Sequence, residues 1–459
     1  MIQMKVLLVF ASYDYLKNVT SKQFPLGLGY LASYLVSKKI DVKIADLRYG
    51  NRREFIRLLK EYNPDIVGIS CMTPNQNEAY KTARTVKRIL DNPLVVLGGV
   101  HATFMYEEIL KKIREIDVVV IGEGEITLYE ICRAWENNFS AKNLSGIKGI
   151  AFRYNDTFIV TPPREKIEQL DDLPIPAFDR LVLPDIETYL KRSADLPVLT
   201  GRGCPFNCAF CSTSVMHGRK YRKRDPVKVV DELEYLKNRY NHDSFSIVDD
   251  TFTVDKERTK KICEGIIRRN LDITWGCSAR ADTIDPCLIK IMSKAGCKGL
   301  FFGIESLDDE VLKKIKKGFT AKKAVRMVEI AIDEGITVDV SFILGLPGDN
   351  IKNTEKIYGF VKKHKITGRI LINTLQILPG TDIYQNPNHY GIKYSKNYKA
   401  TWATPVSFAK NLPFKKLLKE KIKIQTLYLE KKFEDPRLYE IPYPLVFYDE
   451  RELPGFIRL

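Results

Sequence analysis

Gly203-Cys204-Pro205-Phe206-Asn207-Cys208-Ala209-Phe210-Cys211 is the stretch on which the reading of this chain turns. Its cysteines are spaced C-x3-C-x2-C, and an aromatic residue, Phe210, stands directly before the last of them. Thiolates bind iron-sulfur clusters, and a cubane normally takes four cysteine ligands. Three neighbouring cysteines would leave one iron of a 4Fe-4S cluster open, and an open position is what a chelating substrate needs at a catalytic metal. A zinc knuckle completed by His217 is the competing reading. Zinc sites usually supply four ligands in paired spacings, and no fourth cysteine lies close.

Outward from this segment, short apolar runs recur at 197–200, 244–248, 273–278, 299–304, 337–344 and 370–378, with helical patterns between them. Six strands alternating with helices predict a partial (β/α)6 barrel, in which chemistry gathers on the loops that follow the strands. Cys204 falls just after the first run, Asp249 and Asp250 after the second, Arg280 after the third, Glu305 after the fourth, and Gly345 to Gly348 after the fifth. Asp250 has a plainer reading as a helix cap, Arg280 as a surface ion pair with Asp282, and Glu305 as a favourable helix start. Cys263, Cys277, Cys287 and Cys297 read as buried small hydrophobes.

Upstream, apolar β-branched runs at 4–10, 41–47, 65–70, 94–99 and 118–122 alternate with helical patterns at 28–38, 52–62 and 77–90. These predict a doubly wound α/β domain, whose ligands sit at the carboxyl ends of its strands. We place this Rossmann-like domain at 1–140, a hairpin and proline-spaced connector at 141–192, the barrel at 193–380 and a cap or extension at 381–459.

Hydrophobic residues at 44% and charged residues at 28% are globular values. The net charge of +16 is spread along a Lys-rich and Ile-rich chain, which fits a thermophile's composition or an AT-rich genome, so no nucleic-acid site is expected. No 18-residue apolar stretch occurs, and the opening run is too short for a signal peptide. With nine cysteines and no secretion signal, a reducing cytoplasm is expected.

The cysteine segment resembles the signature of the radical S-adenosylmethionine (SAM) superfamily. The phrases at 24–31, 65–70, 98–103 and 122–125 are similar to the cobalamin-binding domains attached to radical enzymes. The resemblance implies a 4Fe-4S cluster on Cys204, Cys208 and Cys211, and SAM held by Phe210, Asp249, Asp250, Arg280, Glu305 and Gly345. Val248-Asp249-Asp250 stands where most of the superfamily has Gly-Gly-Glu. Cobalamin would lie against Ser12, Leu26, Gly27, Ser70, Thr73, Gly98, Gly99, His101, Gly122 and Glu123. Physically, a corrin needs an apolar platform, and glycines at 98 and 99 suit close approach of its nucleotide tail. Ser12-Tyr13-Asp14-Tyr15 occupies the loop where mutase-type domains place a cobalt-binding histidine, so no histidine ligand is expected, and His101 reads as a tail contact or structural residue.

Together these imply a cobalamin-dependent radical SAM C-methyltransferase that acts on an unactivated carbon through a 5′-deoxyadenosyl radical and methylcobalamin. Cyclisation, ring rearrangement or carbon-carbon coupling without methyl transfer is the alternative, and a cobalamin- or SAM-sensing protein is a further one. The partners implied are an external electron donor such as ferredoxin or flavodoxin and a small-molecule, lipid or protein substrate. Lys410, Lys415, Lys416, Lys419, Lys421 and Lys423 surround an amphipathic stretch, 414–433, that would suit peripheral membrane contact, against the plainer reading of a solvated helix face. Tyr384, Tyr390, Tyr394 and Trp402 either line a substrate pocket or pack the cap.

Overall fold

The computed structural model describes residues 4–12, 23–137, 140–192, 195–392 and 412–434. In the first domain the strands are β1 (Lys5–Phe10), β2 (Asp41–Asp46), β3 (Ile66–Ser70), β4 (Leu94–Gly98) and β5 (Val118–Val120), all parallel. Their runs are apolar throughout because both faces are covered. Val6, Leu8 and Phe10 of β1 enter one apolar cluster, while Leu7 and Val9 enter another on the opposite face. Each such side chain contributes about 1.5–3 kcal/mol on burial. The helices between them start where local chemistry dictates. Asn51 accepts from the N–H groups of Arg53 and Glu54 at 2.9 and 3.0 Å while Glu54 answers to the Asn51 N–H, and helix Arg52–Tyr62 follows.

The stretch read as hairpin and connector is built into this sheet. β6 (Ile150–Tyr154) pairs antiparallel with β5, β7 (Thr157–Val160) closes the hairpin, and β8 (Leu181–Leu183) pairs with β2 at the far edge. The eight-stranded order is β7-β6-β5-β4-β3-β1-β2-β8.

The second domain carries β9 (Leu196–Val198), β10 (Gly201–Arg202), β11 (Arg222–Lys223), β12 (Ser244–Ile247), β13 (Thr274–Ala279), β14 (Cys297–Glu305), β15 (Thr337–Leu344) and β16 (Ile370–Thr374). Six of them form a parallel sheet in chain order, from β9 through β12 to β16, the topology of a partial barrel. β10 and β11 form a separate antiparallel pair on either side of the cysteine loop. Asp225-Pro226 and Asp285-Pro286 start two barrel helices, the aspartates accepting from Val227 N and Leu288 N at 2.8 and 3.0 Å.

The apolar cluster on the Val6–Leu8 face continues without a break into Leu196, Val198 and Phe245 of the barrel, so the two sheets share a core. Helix Phe414–Glu434 packs on helix Ile351–Lys363 and β16, with Leu417 and Ile424 fully buried. The apolar stripe that suggested a membrane is thus part of the barrel's packing, and an interfacial helix needs that stripe free. Lys421 is buried as well, whereas Lys415, Lys416, Lys419 and Lys423 are exposed. Among the described residues no helix is long and apolar enough to cross a membrane. Cys263, Cys277 and Cys297 are buried as expected; Cys287 is exposed, on the outer side of helix Pro286–Lys294. Tyr13, Asp14, Tyr15, Tyr394, Trp402 and Lys410 lie outside the described residues.

Candidate functional site

The cysteine loop is held at several points along its length. Cys204 N donates to Gly218 O at 3.2 Å, Ala209 N to Ile315 O at 2.9 Å, and Ile383 N to Ala209 O at 3.0 Å. Gly203 enters the loop at φ +94°, and a Cβ there would collide with the Lys220 carbonyl. Burial pushes the Cys204 and Cys211 thiols up; Cys211 adds to the effect on Cys204, and Cys208 to that on Cys211. Yet among the described residues no three His, Cys, Asp or Glu side chains converge tightly enough to hold a single metal ion. Zinc would require its sulfurs about 2.3 Å from one centre. A cubane instead takes each thiolate on a different iron, an arrangement that three cysteines spread along one loop suit. His217 does not complete the set: it sits in the seam between the domains, its Nδ1 buried without a partner and burial lowering its pKa from 6.5 to about 4.

The rim residues separate into two groups. Asp250 opens onto the central cavity, where surrounding protein raises its carboxyl to about 6, and its charge reaches Cys204 and Cys211. Asp249 beside it is buried and committed, accepting from Thr200 N and Oγ1, both at 2.6 Å, and from Tyr221 Oη at 3.3 Å. Glu305 ends β14 at φ +71°, a strained conformation for a residue with a side chain, and its oxygens pair with Lys317 Nζ and Ser341 Oγ, each at 3.1 Å. Gly345 turns the chain after β15 at φ +81°, its N–H on Asp349 Oδ2 at 2.7 Å. Phe210 packs against the apolar cluster behind the loop, with Lys317 Nζ 5.5 Å from its ring centroid. Arg280 donates to Cys208 Sγ at 3.3 Å and to both Asp282 oxygens at 3.0 and 2.9 Å.

A cavity of about 500 Å³ opens where the carboxyl ends of the two sheets meet. From the first domain it is lined by Leu26, Gly27, Ser70, Gly98, Gly99, Gly122 and Glu123, and from the barrel by Leu199, Arg202, Val248 and Asp250. A Cβ at Gly27 or Gly122 would meet nothing within 4 Å, so a flat cofactor can approach the backbone there. Gly99 is a glycine for another reason: at φ +104° its Cβ would lie 2.7 Å from the Cys71 carbonyl. Ser12, Thr73 and His101 do not reach the cavity lining. His101 is buried with Nδ1 3.1 Å from Thr73 Oγ1 and Nε2 3.2 Å from Tyr80 Oη, so both ring nitrogens are taken and the residue is structural.

Glu123 has a second engagement that its sequence did not announce. It receives Arg222 through two hydrogen bonds, 2.6 and 3.0 Å, and Ile167 N at 2.9 Å, while Arg202 pairs with Glu125 at 2.5 Å. Burial alone would raise Glu123, but Arg222 and Arg202 bring it below the usual carboxylate range. These four side chains are nearly inaccessible and lock the Gly122–Glu125 turn to the β10–β11 pair. Arg202, set between two glycines in Gly201-Arg202-Gly203 at the entrance to the cysteine loop, was the signal available.

A chain with these two units belongs to the radical SAM enzymes that carry a B12-binding domain. The B12 binding domain family matches residues 14–132 and the Radical SAM superfamily residues 198–361. An uncharacterized methyltransferase of Pyrococcus horikoshii is 37% identical over 371 residues, 78% of each chain. An anaerobic magnesium-protoporphyrin IX monomethyl ester cyclase of Rubrivivax gelatinosus is 33% identical over 348 residues, 73% of this chain and 61% of that one. The structure of the radical SAM methyltransferase TsrM from Kitasatospora setae, with cobalamin and a [4Fe-4S] cluster bound, shares the fold: TM-score 0.74, 18% identity, 92% of this chain and 91% of that one. The protein is a radical SAM enzyme, and its cofactors are an iron-sulfur cluster, SAM and cobalamin.

Proposed function

We propose that the enzyme is a cobalamin-dependent C-methyltransferase, adding a methyl group to an unactivated carbon. The observation that carries this reading is the shared cavity onto which both sheets turn their carboxyl ends, glycines and apolar residues on one side and Asp250 on the other. When bound, the cluster supplies the electron that cleaves SAM to a 5′-deoxyadenosyl radical, and cobalamin supplies the methyl group. In this reading Cys204, Cys208 and Cys211 hold the cluster. Asp250, with a pKa of about 6 and so largely ionised at neutral pH, would pair with the ammonium of the methionine part. Gly345 offers backbone at the rim, and Leu26, Gly27, Ser70, Gly98 and Gly122 form the corrin's platform. The apolar floor around Phe24 and Leu28 keeps water from the reacting carbon.

Similarity to the Rubrivivax cyclase favours a second reading, oxidative ring formation with the same equipment. The substrate is a small molecule, a lipid or a protein side chain, and a low-potential one-electron donor of the ferredoxin or flavodoxin class completes the system. Anaerobic reconstitution with iron, sulfide and methylcobalamin, followed by product mass against source extracts, separates the readings. A gain of one methyl supports transfer; loss of hydrogens or isomerisation contradicts it. Replacing Cys208 by Ala is expected to abolish 5′-deoxyadenosine formation.

A further inference from the structure

Arg280 stands where its sequence position suggested a SAM contact, yet four of its five donors are spent elsewhere. Of its five N–H groups, Nε and one Nη2 hydrogen go to Asp282, the other Nη2 hydrogen goes to the Lys317 carbonyl, and one Nη1 hydrogen goes to Cys208 Sγ. The guanidinium also lies 3.5 Å from the ring centroid of Phe206, inside the cysteine loop, and 5.3 Å from that of Phe319. Arg280 is 6% exposed, so its charge is poorly screened by water.

We infer that Arg280 is a positioning residue for the cluster, setting its reduction potential through Cys208 while Asp282 tempers that effect. This rests on the cluster reading of the three cysteines. Adding one electron from a low-potential donor makes the cluster one unit more negative, with no bond made or broken. An N–H donated to a ligating sulfur and a fixed positive charge beside it both favour the reduced form. Arg280 raises the potential in this way. Asp282, bound to the same guanidinium and 19% exposed at its side chain, offsets part of that field.

The test is an EPR-monitored redox titration of the full-length, iron- and sulfide-reconstituted protein, run without SAM so that substrate contacts cannot contribute. In Arg280→Met the ratio of reduced to oxidised cluster at a fixed potential is expected to fall by about tenfold or more, equal to 59 mV for one electron. In Asp282→Asn the same ratio is expected to rise. Opposite shifts at unchanged iron content support the inference, since a merely structural role would move both variants alike. Equal ratios in all three proteins, or shifts of the same sign, overturn it. Should Arg280→Met lose its cluster, Asp282→Asn alone decides: a rise supports the role and no change refutes it. Wild-type protein that takes up no four-iron cluster overturns the ligand reading itself, a result distinct from an unmoved potential.

Discussion

At the scale of single residues, His101 shows how a motif histidine is diverted to structure. Its two nitrogens meet Thr73 and Tyr80, and burial lowers its pKa from 6.5 to about 4. Between those values the unfolded chain binds a proton that the native protein refuses, so stability is complete above pH 6.5 and falls as the pH drops toward 4. The loss amounts to about 3 kcal/mol at the lower end. Urea titrations at pH 7 and pH 4.5 are expected to show a smaller difference for His101→Gln than for wild type. An unchanged difference would contradict the assignment. His217, lowered for the same reason, accounts for slope that remains. Gly203→Ala belongs to this scale too. The new Cβ meets the Lys220 carbonyl, and we expect iron incorporation during reconstitution to fall several-fold while the far-ultraviolet circular dichroism stays native.

At the scale of elements, the β10–β11 pair and the Gly122–Glu125 turn act as one joint. Glu123→Gln removes the carboxylate that Arg222 grips and leaves a buried guanidinium short of its counter-charge, at a cost of about 3–5 kcal/mol. Equilibrium denaturation measures it directly; a change under about 0.5 kcal/mol would show that the joint carries no stability. This joint was the least legible part of the sequence. Helix Arg52–Tyr62 and strand Thr337–Leu344 coincide with their expected ranges, because amphipathic period and β-branched runs are local signals. A hairpin within 141–192 was expected, but its attachment to β5 was not, since strand pairing is set by tertiary partners. Glu123 reads in sequence as one more residue at a strand end; only the two arginines some 80 and 100 positions later reveal its partner. Asp249 and Asp250 are adjacent and alike, yet one points to Thr200 and the other lines the cavity, a difference set by the loop that follows β12 and not by either residue's identity. The amphipathic helix 414–434 was ambiguous for a related reason, as a stripe that covers a barrel looks the same in sequence as one that covers a membrane.

At the scale of the whole molecule, the shared apolar core and the buried ion pairs hold the first sheet's ligand edge opposite the barrel's cysteine loop. Methyl transfer as proposed requires SAM and cobalamin to meet across this cavity. The most direct measurement needs no knowledge of the substrate. Protein reconstituted with its cluster and with cobalamin reduced to the cob(I) state is mixed anaerobically with SAM carrying a 13C-labelled methyl group, and the corrin is extracted and weighed. Labelled methylcobalamin with an equal amount of S-adenosylhomocysteine is the predicted result. Bound cobalamin that stays unmethylated, with SAM intact, would rule out methyl transfer through this cavity.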